Sequence, residues 1–95
     1  MRKGPSMLRL VTEAADVPQE LIPGTPLIEI TGSSRVLIEN HCGVTIYEPD
    51  WIRIRVKLGA VNLRGDGLTI SRMSKRQLVV TGRLQALEFE RGSCG

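Results

Sequence analysis

His41 is the single histidine of the chain, and Cys42 follows it directly. Those residue types can ligate a soft metal or pair a nucleophile with its base. Neighbours on a strand, however, point to opposite faces, zinc takes four ligands, and a base must lie within hydrogen-bond reach of its thiol. Neither chemistry fits. Asn40 to Gly43 instead reads as a turn in which Asn40 tolerates an unusual backbone conformation and His41 serves the turn or contacts a partner. Gly65-Asp66-Gly67 is not followed by a helix start carrying Lys and Ser or Thr, so it is no phosphate loop. Glu29, Glu39 and Glu48, with Asp50, form no close-spaced acid pair. As strand residues alternating with Ile28, Ile30, Ile38 and Ile46 they make a solvated face, and a glycosidase groove is hard to build from so few residues. The expectation is a protein with no catalytic residue, no metal ligand and no cofactor.

The basic residues form the stronger pattern. Arg53, Arg55, Lys57, Arg64, Arg72, Lys75, Arg76 and Arg83 stand against Asp66 alone between residues 51 and 83, whereas residues 10 to 50 carry seven acidic side chains and one basic one. The net charge of +3 therefore hides two opposed halves. In Trp51 to Leu58, period-two spacing puts Ile52, Ile54, Val56 and Leu58 on one face and Trp51, Arg53, Arg55 and Lys57 on the other. A turn at Gly59-Ala60 would set Arg55 opposite Arg64, and like charges across a ladder repel. Something acidic should meet this stripe. The acidic strands around Glu29, Glu39 and Glu48 can do so within the chain or from a second copy, and head-to-tail contact between copies would give rings or filaments. A different protein or an anionic lipid surface would also serve. Nucleic acid fits least, since the acidic segment repels phosphate and three aromatic residues leave little for base stacking.

These residues must be positioned by a small scaffold. Ninety-five residues allow one domain, burying a little over ~60% of the surface of the unfolded chain, so self-association would help stability. The apolar share of 41% is globular, and no apolar run approaches the ~20 residues of a membrane span. Val, Ile and Thr number 22 against four Ala, which favours strands because branched side chains pack well on a pleated sheet. Cys42 and Cys94 are too few and too far apart for a disulfide framework. Met7 to Val11 is interrupted by Arg9 and too short for a secretory signal, so a reducing cytosolic setting is the default.

Three segments are expected: a tail and lead-in over 1–26, a β domain over 27–90, and a tail over 91–95. In the lead-in, Met7, Leu8, Leu10, Val11, Ala14 and Ala15 have rough helical spacing, but Pro18, Pro23, Gly24 and Pro26 stop any helix beyond two or three turns. From Leu27 the spacing is period two, with strands expected at 27–31, 35–40, 44–48, 51–58, 60–65, 68–72, 77–82 and 83–90. Gly59-Ala60 and Asp66-Gly67 read as tight hairpin turns, pairing Val56 with Leu63 and Leu63 with Ile70 in a meander from 51 to 72. Asn40 to Gly43 would close another hairpin, with Ile38 across from Ile46. Gly82 interrupts an apolar run and marks a bend or bulge. The fold class is all-β, a small antiparallel domain of consecutive hairpins, either a sandwich or a partly rolled sheet, behind a flexible N-terminal lead-in.

The same residues carry a resemblance. Leu37-Ile38-Glu39-Asn40-His41-Cys42-Gly43-Val44 is similar to the Ile-Glu-Asn-His-x-Gly segment of the YabP/YqfC family of sporulation proteins. The agreement continues through Leu58-Gly59-Ala60-Val61-Asn62-Leu63-Arg64-Gly65-Asp66-Gly67-Leu68-Thr69-Ile70 and Leu78 to Phe89, and is nearest the YqfC branch. Cys42 departs from the Lys or Arg often found before that glycine. The resemblance implies a role in endospore formation, in the cytoplasm of the mother cell, beside a membrane-protein partner, and it implies no reaction. Two functions from different classes follow: a structural protein that assembles with itself or with that partner, and a basic β module binding anionic lipid or nucleic acid.

Overall fold

The computed structural model describes residues 24–92. The helical spacing of residues 7 to 15 and Cys94 lie outside the described residues. Six strands follow in order: β1 Leu27–Thr31, β2 Arg35–Glu39, β3 His41–Glu48, β4 Trp51–Val56, β5 Gly59–Met73 and β6 Gln77–Arg91. All pair antiparallel in one open sheet of order β1-β2-β6-β5-β4-β3. The all-β expectation holds.

Ile38, Ile52, Ile54, Leu63 and Leu78 are 0% exposed. No helix covers them among the described residues, and a flat sheet would leave either face wet. The sheet must therefore fold over on itself. The long β5–β6 ribbon makes this possible, because each of its strands serves two halves of the molecule. Residues 59–64 of β5 pair with β4 on one side and with residues 86–91 of β6 on the other. Residues 77–81 of β6 pair with β2 on one side and with residues 69–73 of β5 on the other. Apolar side chains of both halves, Val36 and Ile38 with Leu78 and Val80 from one, Ile52 and Ile54 with Val61 and Leu63 from the other, join in one core. At about 25 cal/mol per Å² of apolar surface removed from water, this shared core is the main favourable contribution to the fold.

The ribbon turns its corner between residues 64 and 84, where the β5–β6 register shifts. Gly82 has φ of 136°, and a Cβ there would meet Gly67 O at 2.6 Å, so only glycine lets the two strands cross this closely. Each bent strand is then clasped by a hairpin turn. Gly65 N and Leu68 N donate to Asp50 O and Pro49 O of the β3–β4 turn, and Gly82 N and Leu84 N donate to Ser34 O and Ser33 O of the β1–β2 turn. Backbone groups freed by the bends thus find partners, as buried peptide groups must.

Several expected connections differ. The β4–β5 turn is Lys57-Leu58 rather than Gly59-Ala60: Val56 pairs with Gly59, Arg55 with Ala60, and Ile52, not Val56, with Leu63. Leu58 takes φ of 70° in the turn and is exposed. Asp66-Gly67 closes no hairpin, since β5 runs through it and Leu63 pairs with Leu87 instead of Ile70. Residues 77–82 and 83–90 likewise form one strand that bends at Gly82. Nor do β2 and β3 form a hairpin. The chain leaves β2 through Asn40, at φ of 67°, and crosses to the other half of the sheet, where β3 pairs with β4.

Candidate interaction face

Correcting the β4–β5 turn re-sorts the basic stripe. Trp51, not Arg55, stands opposite Arg64, and Arg53 stands opposite Asn62. On β6, Glu88 faces Asn62 and Glu90 faces Ala60. Antiparallel partners share a face, so Trp51, Arg53, Arg55, Asn62, Arg64, Glu88 and Glu90 lie on the side of this half away from the core.

A continuous hydrogen-bond chain orders that face. Trp51 Nε1 donates to Asn62 Oδ1 at 2.8 Å, and Asn62 Nδ2 donates to Glu90 Oε1 at 2.9 Å. Arg53 grips both oxygens of the same carboxylate, Nε to Oε1 at 3.1 Å and Nη2 to Oε2 at 2.9 Å, while its Nη1 reaches Thr45 Oγ1 at 3.0 Å. The fork-shaped guanidinium matches a carboxylate geometrically as an ammonium would not. Hydrogen bonds from Arg53 and Asn62 hold the Glu90 carboxyl down at about 2. The Arg64 guanidinium lies 4.2 Å from the centroid of the Trp51 ring, a cation–π contact. Asn62, 7% exposed, is the buried polar residue at the centre of this chain.

The acidic residues expected to meet the stripe are dispersed. Glu29 and Glu39 share the outer face of the other half, on β1 and β2, and Glu39 accepts from Gln77 Nε2 at 3.1 Å. Glu48 sits on β3 opposite Trp51. The carboxylate that Arg53 meets is Glu90. Arg55 is exposed with no side-chain hydrogen bond or ion pair among the described residues. Lys57 lies in the β4–β5 turn beside Gly24.

Asn62, Thr45 and Glu90 escaped the sequence reading, which places Trp51 on the outer face of its strand but gives it no partner. The signal was present in register alone: a turn two residues earlier places Asn62 across from Arg53, with Glu90 diagonal to Arg53 through the next strand.

The second polar cluster is the corner around Asn40, His41 and Gly43. Asn40 N and His41 N both donate to Arg76 O, and Asn40 Nδ2 donates to Thr25 O at 2.8 Å. His41 Nε2 lies 2.9 Å from Ser74 O, and Nδ1 accepts from Gly43 N at 3.0 Å. A carbonyl on one nitrogen and an amide N–H on the other define the neutral tautomer with its proton on Nε2. Both ring nitrogens are thereby used in tying the β2–β3 corner to the β5–β6 turn, leaving neither for Cys42 or a metal. Cys42 is exposed, and no group of three or more metal-ligating side chains occurs among the described residues. Gly59, Gly65, Gly67 and Gly82 belong to the ribbon and its bends rather than to this corner.

The face so described offers a half-exposed indole, three arginines and a carboxylate fixed by hydrogen bonds. No helix of the described residues is long and apolar enough to cross a membrane. No solved structure matches the chain. The protein YqfC of Bacillus subtilis (strain 168), named only as uncharacterized, is 22% identical over 79 residues, covering 83% of this chain and 85% of its own length. The model of the YabP family matches residues 24–94, three-quarters of the sequence and all of the folded sheet. With the motif-bearing strands and their glycine-dependent bends contained in that match, the chain belongs to the YabP family.

Proposed function

We propose that this protein is a non-enzymatic assembly module of endospore formation, acting in the mother-cell cytoplasm by associating with itself and with a membrane partner. Family membership points to a sporulation-related role. The observation that supports an assembly role is the hydrogen-bonded chain from Thr45 through Arg53, Glu90 and Asn62 to Trp51. It holds Trp51 and Arg64 in fixed positions on an outer sheet face. Protein interfaces concentrate their binding energy in Trp, Tyr and Arg side chains whose geometry is set before the partner arrives. The complementary surface is acidic, and the Glu29–Glu39 face of a second copy supplies one.

The internal Arg53–Glu90 pair changes which residues test this. Arg53 belongs to the fold, so reversing its charge would leave Glu90 facing a carboxylate. Arg55 and Arg64 are the exposed positions. The mass of the protein in solution is measured by sedimentation at tens of micromolar in low and physiological salt. An oligomer that Arg55→Glu with Arg64→Glu converts to a folded monomer supports the reading. A monomeric wild type that also fails to bind a sporulation membrane-protein partner overturns it. Co-sedimentation of the wild type with anionic liposomes, lost in the same variant, would favour the lipid-binding module instead.

A further inference from the structure

The open ends of the two halves meet at one end of the molecule. β2 finishes at Glu39 and β3 begins at His41, so Asn40 alone joins them, and the β5–β6 turn is tied to the same corner through Ser74 O and Arg76 O. Beside this corner Pro26, just before β1, lines an open cavity of about 490 Å³ together with Leu58 and Phe89. Four of the six large apolar side chains that stand exposed among the described residues gather at this end: Leu27, Leu58, Met73 and Phe89. Exposed apolar groups scattered singly need no explanation, whereas a gathering of them marks a docking surface. Leu58 adds a second sign. It is 65% exposed at φ of 70°, a conformation that Asn or Gly takes with less strain, and an aliphatic side chain held so against both propensity and solvent points to a contact outside the chain.

The charge of this end is positive. Its cations are Arg55, Lys57, Lys75, Arg76 and Arg91. Its carboxylates, Glu39 and Glu90, are both engaged within the sheet, Glu39 by Gln77 Nε2 and Glu90 by Arg53 and Asn62. The next row inward is balanced, with Arg53 and Arg72 against Glu29 and Glu88. The segment before Gly24 adds no net charge, since it carries Arg2, Lys3 and Arg9 with Glu13, Asp16 and Glu20. We propose that this end docks on an anionic phospholipid surface, with Leu27, Leu58, Met73 and Phe89 entering the boundary between headgroups and acyl chains and the cations meeting the phosphates around them. Lys and Arg suit that place because their aliphatic stems lie along apolar surface while their charges stay among the headgroups. Nucleic acid fits this end less well, because only one of the four apolar side chains is aromatic and able to stack on a base. The proposal goes beyond the outer-face reading and does not rest on it: Trp51 and Arg64 stand opposite each other at the far end of β4, toward the bends.

Sedimentation of the full-length chain with vesicles of phosphatidylcholine alone, and of phosphatidylcholine mixed with phosphatidylglycerol, tests the proposal. The expected result is binding to the mixed vesicles, weakened by salt, and little to the neutral ones. Lys75→Gln with Arg76→Gln should lower the partition about thirtyfold, each cation near the surface being worth about fivefold. Leu58→Asn with Phe89→Ser should lower it severalfold with the salt dependence unchanged. Asn suits the turn conformation and Phe89 is already exposed, so circular dichroism should show that this variant keeps its fold. Arg64→Glu should bind as wild type. No binding to the mixed vesicles, equal binding to the neutral ones, or binding lost in Arg64→Glu but kept in both double variants overturns the assignment.

Discussion

Asn62→Ala isolates what the outer-face hydrogen-bond chain contributes. In the wild type the buried Asn62 side chain accepts from Trp51 Nε1 at 2.8 Å and donates to Glu90 Oε1 at 2.9 Å. Truncation removes both bonds, a net loss of about 1 kcal/mol for a typical one, and strands the partly buried indole N–H, at about 1 kcal/mol or more. The expected destabilisation is about 2–3 kcal/mol. For a chain of this size each kcal/mol moves the melting temperature by roughly 4–8 °C, so Tm should fall by about 10–20 °C in a circular-dichroism melt. A second substitution decides whether hydrogen bonding is the cause. Trp51→Phe removes the indole donor, and in that background Asn62→Ala should cost about 2 kcal/mol less, because neither the Trp51–Asn62 bond nor a stranded N–H remains to be lost. Additivity of the two substitutions within about 0.5 kcal/mol would refute the reasoning, as would an Asn62→Ala melt indistinguishable from wild type.

Gly65→Ala places a Cβ 2.0 Å from the Arg83 carbonyl oxygen, backbone against backbone with nothing able to swing aside, and should fail to give folded protein. Gly67→Ala meets nothing within 4 Å and has only its φ of 59° against it, so urea titration should show a loss of about 1–2 kcal/mol. Glu90 has a folded-state pKa of about 2 against an ordinary 4.5, so its stabilising effect is complete above about 4.5 and fades as pH falls toward 2. The urea midpoint of wild type should accordingly converge on that of Glu90→Gln through this window, and a constant gap between them would contradict the pairing with Arg53. Chelator should leave the melting temperature unchanged, whereas a drop of several degrees would restore His41 and Cys42 as candidate ligands.

Alternation of side chains revealed the faces of the strands but not their partners. Ile52, Ile54 and Val56 are buried as their spacing required, and Gly82 is the bend its place in an apolar run implied. The turns misled because glycine serves two needs that look alike in a sequence. Gly59 follows the turn, and what it provides is room: a Cβ there would lie 2.0 Å from Glu90 O of β6. Gly65 makes the same allowance for Arg83 O. Both are imposed by a strand that lies far downstream, so no local pattern could separate them from turn glycines. The turn itself went to Leu58, whose φ of 70° no propensity favours. That two-residue displacement hid the Trp51–Asn62–Glu90 chain, since every cross-strand pair in it depends on the register. It also explains why Arg55 and Arg64 read as a clash although they never face each other.

The doubly shared ribbon sets the order in which the chain can fold as it is synthesised. β1 and β2 emerge first, yet the inner flank of β2 pairs with β6, the last strand made. Until residues 77–81 have left the ribosome, Val36 and Ile38 have no sheet to join, and the β1–β2 turn has no bend to clasp. The early hairpins must wait with apolar faces exposed, and a two-stranded hairpin alone is marginal in water. The local β5–β6 hairpin then supplies the template on which both waiting hairpins close, a non-local step that is inherently slow. Truncation anywhere within β6 should therefore cost the whole domain rather than its last strand.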